Sequence, residues 1–233
     1  FPVVVKTPEL SGSRGVSIHN NYSKFYVALQ KARELSGDGR VLIEKCIRKG
    51  DDIPEYSTEI LFDNDGRCHH LNTVERRFRV INGVPIEVGH INPAPLKDRR
   101  AHALFLLAEQ AARSVGVQWG AFKLDTMPVG RDFIILECTA RLSGGYDASH
   151  TTPLATGRQF IGAALRVALG MDTGECLVPS QARYAAAYSP LTGDETSCAD
   201  RREFRIAVAD TAEDAWRNAV AGENLTHLIQ KAQ

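Results

Sequence analysis

The segment Glu137-Cys138-Thr139-Ala140-Arg141-Leu142-Ser143-Gly144-Gly145 decides the fold of this chain because of what comes just before it. Polar and apolar residues alternate over 122–125 and again over 134–142, and a period of two predicts a strand in each range. A glycine-containing turn is predicted between them, at residues 130–132. The sequence therefore predicts a β-hairpin whose second strand carries a row of polar side chains.

Two carboxylates meet across this predicted hairpin. Folding it symmetrically about residue 131 places Asp125 opposite Glu137 and Lys123 opposite Thr139, on one face because side chains alternate along a strand. The even-numbered apolar residues of both strands are then expected to face the core. Two opposed carboxylates repel each other, whereas a shared divalent cation removes the repulsion, and oxygen ligands suit Mg²⁺. Taken alone, the pattern also fits a solvated hairpin whose charges have no function.

Asp125, followed by Glu137, Thr139, Arg141 and the segment Ser143–Gly145, resembles the metal and substrate strand of the ATP-grasp superfamily. The resemblance implies an enzyme that couples ATP hydrolysis to joining a carboxylate and an amine through an acyl phosphate. It implies Asp125, Glu137 and Thr139 as ligands of Mg²⁺, or of Mn²⁺, although Thr139 stands where Asn is commoner. It also implies Arg141 as a catalytic residue that binds a carboxylate, bicarbonate or acyl phosphate, with backbone donors from Ser143–Gly145 beside it.

A glycine- and serine-rich loop after the first predicted strand, Val3–Lys6, is a candidate phosphate site. Its glycines let the backbone approach an anion without a Cβ in the way. Taken alone, such a loop also fits a plain surface turn. The resemblance implies a flexible lid over the phosphates, with Lys6 as a phosphate-binding and catalytic residue. The implied nucleotide-binding residues of this phosphate loop are Ser11, Gly12, Ser13, Arg14 and Gly15.

Two further segments complete the implied nucleotide site. Residues 44–47 resemble the hinge that holds adenine, which implies nucleotide contacts from Glu44, Cys46 and Ile47. Glu55 matches the carboxylate that holds the ribose hydroxyls. The role of His90 stays open between a polar residue near the reacting phosphate and a structural histidine.

Composition narrows the class of protein. The chain has 233 residues, and its 28 Lys and Arg balance its 28 Asp and Glu. A neutral balance argues against nucleic-acid and anionic-membrane partners, and no apolar stretch approaches the ~20 residues of a membrane helix. The 5 cysteines include no C-x-x-C pair, which favours buried thiols in a reducing, cytoplasmic environment over disulfides or zinc.

Strands arranged in hairpins, with helices between groups, predict an α+β protein rather than a doubly wound α/β sheet. The resemblance implies an ATP-grasp fold, with two α+β lobes and nucleotide in the cleft between them. The expected units are a lid lobe at residues 1–80, a catalytic lobe at 81–180, and C-terminal strands and a helix at 181–233. Helices are predicted at Phe25–Leu35, 98–115, 158–169 and from Thr211.

The resemblance favours an ATP- and Mg²⁺-dependent carboxylate–amine ligase, similar to carbamoyl-phosphate-synthase-like members. The alternatives are a non-catalytic nucleotide-binding or regulatory module and an inactive fragment of a larger ligase. Because Phe1 is not a start methionine and the chain opens almost directly on the predicted strand Val3–Lys6, we expect it to lack the N-terminal domain of such a ligase and to be inactive alone. The expected partners are small carboxylate and amine substrates and that missing domain; a homodimer is left open.

Overall fold

A computed structural model describes residues 1–47 and 54–230 of the chain. A π-helical turn at Asp147–Thr151 is followed directly by the short α-helix Thr152–Thr156. None of the helices in the described part of the chain combines the length and the apolarity that a membrane span needs. In chain order the elements are β1 Val3–Lys6, β2 Ser17–His19, α1 Phe25–Leu35, β3 Leu42–Lys45, β4 Glu55–Phe62, β5 Cys68–Ile81, β6 Val84–Asn92, α2 Asp98–Ser114, β7 Gly120–Val129, β8 Asp132–Thr139, α3 Thr152–Thr156, α4 Phe160–Ala168, β9 Tyr184–Tyr188, β10 Glu203–Ala209, α5 Ala212–Ala221 and β11 Leu225–Gln230.

The first 47 residues form a three-stranded antiparallel sheet in the order β2-β1-β3. Val5 of the central strand is fully buried, and Ala32 of α1 is 2% exposed. Both the first strand and the helix Phe25–Leu35 lie where the sequence predicted them. Strand β2 was missed, because three residues are too short for a periodic pattern.

The remaining strands form one eight-stranded sheet in the order β11-β10-β9-β6-β5-β4-β7-β8. Every neighbouring pair in it is antiparallel, which confirms the α+β class. A turn at Asn82-Gly83 joins β5 to β6, and both residues have the positive φ that a two-residue hairpin turn of this kind requires.

Helices cover this sheet through apolar clusters. Ala108 and Ala112 of α2 pack on Phe62 of β4 and Phe122 of β7, α4 packs on Leu61 and Leu71, and α5 packs on Ala186 and Ala207. The helix predicted at 98–115 is confirmed over Asp98–Ser114. Val115 follows the last helical residue and is 60% exposed.

Strand β8 differs from the expectation of an apolar, core-facing row. Phe122 and Leu124 of β7 are buried, but Ile134 of β8 is 41% exposed. The reason is the register shift after Asp125, which places Ile134 opposite Met127, on the face of Asp125 rather than on that of Phe122 and Leu124. All five cysteines are free, and Cys138 of this strand is exposed, contrary to the expectation of buried thiols.

The strand order can be compared with the expected boundaries of the three units at residues 80 and 180. The proposed boundary at residue 80 lies within β5, in the middle of the large sheet, while the small sheet ends with β3. The change from one sheet to the other thus falls between residues 45 and 55. The division at 80 and 180 stays a prediction, and its residues 48–53 and 231–233 lie outside the described residues.

Candidate functional site

A cavity of 670 Å³ lies between the small sheet and one face of the large sheet. This volume is in the range of small-molecule sites, which is about 300–1,000 Å³. Among the described residues that line it are twelve of the predicted site residues: Lys6, Ser11, Gly12, Ser13, Arg14, Glu44, Cys46, Ile47, Glu55, Asp125, Glu137 and Arg141. Gly15 and Thr139, although both are described, are not among them.

Lys6 joins the two sides of this cavity. It is the last residue of β1, whose neighbour β3 brings Glu44 alongside. Lys6 Nζ lies 2.8 Å from Glu44 Oε2 and donates to the carbonyl oxygen of Leu136 at 3.2 Å. Because Leu136 precedes Glu137 on β8, the lysine of the small sheet contacts the hairpin that carries the carboxylates.

The phosphate loop, which the resemblance implies to be a flexible lid, is tethered here by hydrogen bonds. Ser13 Oγ donates to the carbonyl oxygen of Pro85 at 2.6 Å. The amide of Cys198 donates to the carbonyl oxygen of Gly12 at 2.8 Å. Gly15 has a φ of +71°, and a Cβ there would lie 2.7 Å from Thr7 Oγ1, so this glycine is needed for packing beneath the loop.

The predicted adenine and ribose residues lie along one wall of the cavity. Cys46 is 7% exposed, and its amide donates to the carbonyl oxygen of Pro2 at 3.0 Å, so the strand-like pairing continues past β3. Glu55 begins β4 and stands opposite Arg76 of β5 in the sheet register. These residues thus bring backbone groups and a carboxylate to the cavity lining.

Asp125 and Glu137 are directly paired across the β7–β8 hairpin, and Lys123 is paired with Thr139, as predicted. The register shifts by one residue immediately after Asp125, so the hairpin is not symmetrical about residue 131. The two carboxylates differ in environment: the side chain of Asp125 is 2% exposed and that of Glu137 is 58% exposed. Glu137 therefore lies at the open side of the cavity.

Asp125 is held by two cations. Arg76 Nη1 and Lys123 Nζ each lie 2.5 Å from Asp125 Oδ2, and Lys123 Nζ lies 3.7 Å from Glu137 Oε1. Burial alone would raise the pKa of Asp125, but the charges of Arg76 and then Lys123 outweigh it and lower that pKa to about 2. Arg141, the implied catalytic arginine, lies beyond the end of β8, and its Nη1 donates to the carbonyl oxygen of Leu142 at 2.9 Å.

The donor set fits Mg²⁺ held by few protein ligands. Asp125 Oδ1 is buried without a hydrogen-bond partner, and Glu137 is paired with Asp125. Within the described ranges, no group of three or more His, Cys, Asp or Glu side chains is arranged to hold a metal. Mg²⁺ is commonly bound by one or two carboxylates, with water and phosphate oxygens at its other positions.

Sequence reasoning missed the residue at the centre of the site, Arg76. Its guanidinium lies 3.0 Å from Glu87 Oε2 and 3.8 Å from Glu55 Oε2, besides its contact with Asp125. Burial would lower the pKa of Arg76, but Asp125, Glu87 and Glu55 together raise it well above its ordinary value. Only the pairing of Arg76 with Glu55 between β4 and β5 could have indicated this position.

A second buried acidic group, also missed, lies beneath residues 143–145. Glu59 accepts from the amide of Ser143 at 2.5 Å and from Asn72 Nδ2 at 3.0 Å. The amide of Ser143 thus donates to Glu59. The expectation that this amide is a donor for the substrate is therefore wrong. Asp147 lines the cavity, and its Oδ1 lies 3.3 Å from His90 Nδ1.

Burial raises the pKa values of these two carboxyl groups to about 7. The charge of Asp147 adds to the shift of Glu59, and that of Glu87 adds to the shift of Asp147. His90 is 1% exposed, and burial lowers its pKa to about 4. Its Nε2 lies 2.9 Å from Thr151 Oγ1, so the structure places His90 in a buried polar network behind the cavity.

Comparison with known proteins supports one family. The model of the family described as "Carbamoyl-phosphate synthase L chain, ATP binding domain" matches residues 1–176. The carbamoyl phosphate synthase large chain of Clostridium perfringens (strain 13 / Type A) is 29% identical over 182 residues, which are 75% of this chain and 16% of that protein. The large chain of Clostridium botulinum (strain Eklund 17B / Type B) is 27% identical over 180 residues, with the same shares. This chain thus spans 16% of the length of these relatives.

Solved structures show the same fold at low sequence identity. The L-amino acid ligase from Bacillus licheniformis has a TM-score of 0.70 and 18% identity, and the match covers 100% of this chain and 64% of that one. The biotin carboxylase domain of Hydrogenobacter thermophilus 2-oxoglutarate carboxylase, solved with MgADP, ADP and bicarbonate, has a TM-score of 0.65 and 20% identity. That match covers 81% of this chain and 41% of the other. The chain has the ATP-grasp fold and belongs to the family of carbamoyl-phosphate synthase L chain ATP-binding domains.

Proposed function

We propose that this ATP-binding domain is part of a ligase that activates a carboxylate as an acyl phosphate for attack by an amine or another nucleophile. The observation that carries the proposal is the position of Lys6. Its ammonium lies between Glu44 of the small sheet and Leu136 of the hairpin that carries Glu137. A cation at that junction suits phosphates that reach from an adenosine pocket on one side to metal carboxylates on the other.

Each wall of the cavity has a role in this proposal. Glu44, Cys46 and Ile47 bind adenine, and Glu55 binds the ribose hydroxyls. Residues 11–14 of the phosphate loop and Lys6 bind the phosphates through backbone amides and an ammonium, and Gly15, outside the cavity lining, supports the loop from beneath. The carboxylate pair would hold Mg²⁺, which neutralises charge on the phosphates. Thr139 as a third ligand stays a prediction, since it lies outside the cavity lining.

The proposed chemistry relies on positioning and charge rather than on a covalent enzyme intermediate. An oxygen of the substrate carboxylate attacks the γ-phosphorus of ATP, and ADP leaves. The guanidinium of Arg141, which lines the cavity, binds the carboxylate and then the acyl phosphate, because its planar fork matches two oxygens. The nucleophile then displaces phosphate. The substrates belong to the whole protein and are proposed here only by class.

The proposal is tested by calorimetric titration of the chain with ATP, with and without Mg²⁺. We expect binding that weakens by about tenfold or more when Mg²⁺ is removed, since opposed carboxylates would then face the phosphates. No binding at millimolar ATP would overturn the proposal. ADP formation with a panel of amino acids as acceptors then separates a ligase from a nucleotide-binding module, which would bind ATP without turnover.

A further inference from the structure

One wall of the cavity comes from beyond residue 176, where the family match ends. It is formed by the segment between β9 and β10, residues 192–201, which we name the strap. Cys198, Ala199 and Arg201 of the strap line the cavity. The strap therefore belongs to the site although the family match does not include it.

The strap is held in one shape by its own hydrogen bonds. The carboxylate of Glu195 accepts from the amides of Thr192 at 2.7 Å and Gly193 at 2.9 Å. A capping box joins Ser197 and Asp200, so the short helical turn between them is closed at its start. Because its shape is fixed in this way, the strap presents the backbone at Cys198 in a defined position.

The strap contacts the phosphate loop through this position. The Cys198 amide donates to the carbonyl oxygen of Gly12 at 2.8 Å, and Cys198 Sγ lies 3.5 Å from Ser13 Oγ. A Cβ built on Gly12 would lie 3.6 Å from Cys198 Cβ, so the two backbones approach closely. The loop that is proposed to cover the phosphates is thus tied to the C-terminal part of the chain.

Arg201 ties the other side of the strap to the large sheet. Its Nε donates to the carbonyl oxygen of Cys198 at 2.8 Å, and its Nη1 donates to that of Glu87 at 2.9 Å. Glu87 is paired with Arg76, and Arg76 with Asp125. Contacts therefore run without a break from the phosphate loop to the buried carboxylate.

We propose that the strap positions the phosphate loop over the Asp125 carboxylate, and that nucleotide enters and leaves when the Cys198–Gly12 contact opens. This inference rests on the proposed nucleotide site. With the strap in contact the cavity still measures 670 Å³, so a nucleotide fits beneath it. Opening of the strap then sets the rate of nucleotide exchange, as lids do in many enzymes.

A disulfide between the two parts tests this directly. Ser13 Oγ lies 3.5 Å from Cys198 Sγ, so a cysteine at residue 13 would bring a second sulfur close to that of Cys198, and a small movement would reach the S–S bond length of about 2.05 Å. In the variant Ser13→Cys, copper–phenanthroline would oxidise the two thiols, and peptide mass spectrometry would identify the bridge. A fluorescent ATP analogue with Mg²⁺ is loaded before oxidation, and its release into excess ATP is followed by stopped flow.

We expect release from the oxidised protein to be slower by on the order of tenfold or more, and to recover when dithiothreitol reduces the bridge. The double variant Ser13→Cys/Cys198→Ala, oxidised in the same way, controls for side reactions. Failure of the bridge to form, or unchanged release from bridged protein, would overturn the role of the strap. If the reduced variant and the unaltered chain both bind no nucleotide, the proposed nucleotide site itself fails, and the strap's role with it.

Discussion

The guanidinium of Arg76 lies 2.5 Å from the carboxylate of Asp125, so the most buried acidic group of the cavity carries an internal counter-charge. The same guanidinium contacts Glu87 and Glu55. One arginine thus compensates three carboxylates from three other strands. This arrangement explains how the acidic wall of the cavity is compatible with a stable fold, because an unpaired buried charge is costly.

Replacing Arg76 is therefore expected to destabilise the fold itself. Arg76→Gln would leave the buried Asp125 and Glu87 without their main partner, at a cost of about 3–5 kcal/mol in the free energy of unfolding. Urea unfolding monitored by circular dichroism measures this loss. The control is Arg99→Gln on the exposed side of α2, expected to stay within about 0.5 kcal/mol. Similar losses for both variants would contradict the assignment.

Glu137 should matter for ligand binding rather than for stability. Its side chain is 58% exposed, so Glu137→Gln is expected to leave the melting temperature without ligand nearly unchanged. The rise in melting temperature on adding ATP with Mg²⁺ should be lost, because ligand stabilises only as far as it binds the folded state. Differential scanning calorimetry measures both quantities. If ATP with Mg²⁺ raises the melting temperature of the variant as much as that of the unaltered chain, Glu137 is not a metal ligand. The control variant is Glu223→Gln, a change at an exposed glutamate.

Lys6 is expected to contribute mainly to nucleotide affinity. Lys6→Met removes the ammonium between Glu44 and Leu136, and loss of a charged hydrogen bond to phosphate should weaken ATP binding about tenfold to a hundredfold. Titration calorimetry of the variant gives the dissociation constant. Lys31→Met, an exposed lysine on α1, should bind ATP like the unaltered chain. Equal affinity of the two variants would remove Lys6 from the site.

Glu59 should make the stability of the chain depend on pH. Its pKa is raised from 4.5 to about 7, so the folded state keeps a proton that the unfolded chain releases in this window. Stability therefore falls as pH rises from about 4.5 to 7 and is constant above it. In Glu59→Gln this part of the fall should be absent, and above pH 7 the variant should gain about 1–3 kcal/mol relative to the unaltered chain.

Urea unfolding at several pH values measures this difference. The glutamine can still accept from the amide of Ser143, and Asn72, whose Oδ1 has no partner, can turn to pair with the new amide group. Exposed Glu223→Gln should keep the pH dependence of the unaltered chain. The same slope in all three proteins would show that Glu59 does not hold the proton.

Part of the candidate site could be predicted because it depends on the alternation of residues along two strands that are adjacent in the sequence. A period of two over residues 122–125 and 134–142 indicated a hairpin, and pairing across a hairpin follows from strand geometry. Asp125 therefore faces Glu137 as predicted. The phosphate loop follows its strand, and the hinge begins on the strand that pairs with β1, so Lys6 and Glu44 lie side by side. Their nucleotide-binding roles were implied by the family resemblance and stay predictions.

The local sequence determined the hairpin, the first helix, the α+β class and the residue types available for nucleotide and metal. Only the tertiary structure decided which of them meet: Arg76 on three carboxylates, Cys198 on Gly12, and Glu59 beneath Ser143. These contacts join residues far apart in the chain, and no local pattern encodes the strand order that brings them together. Because burial and neighbouring charge set the pKa of each acidic group, the chemistry of Asp125, Glu59 and Asp147 was also fixed only by the fold.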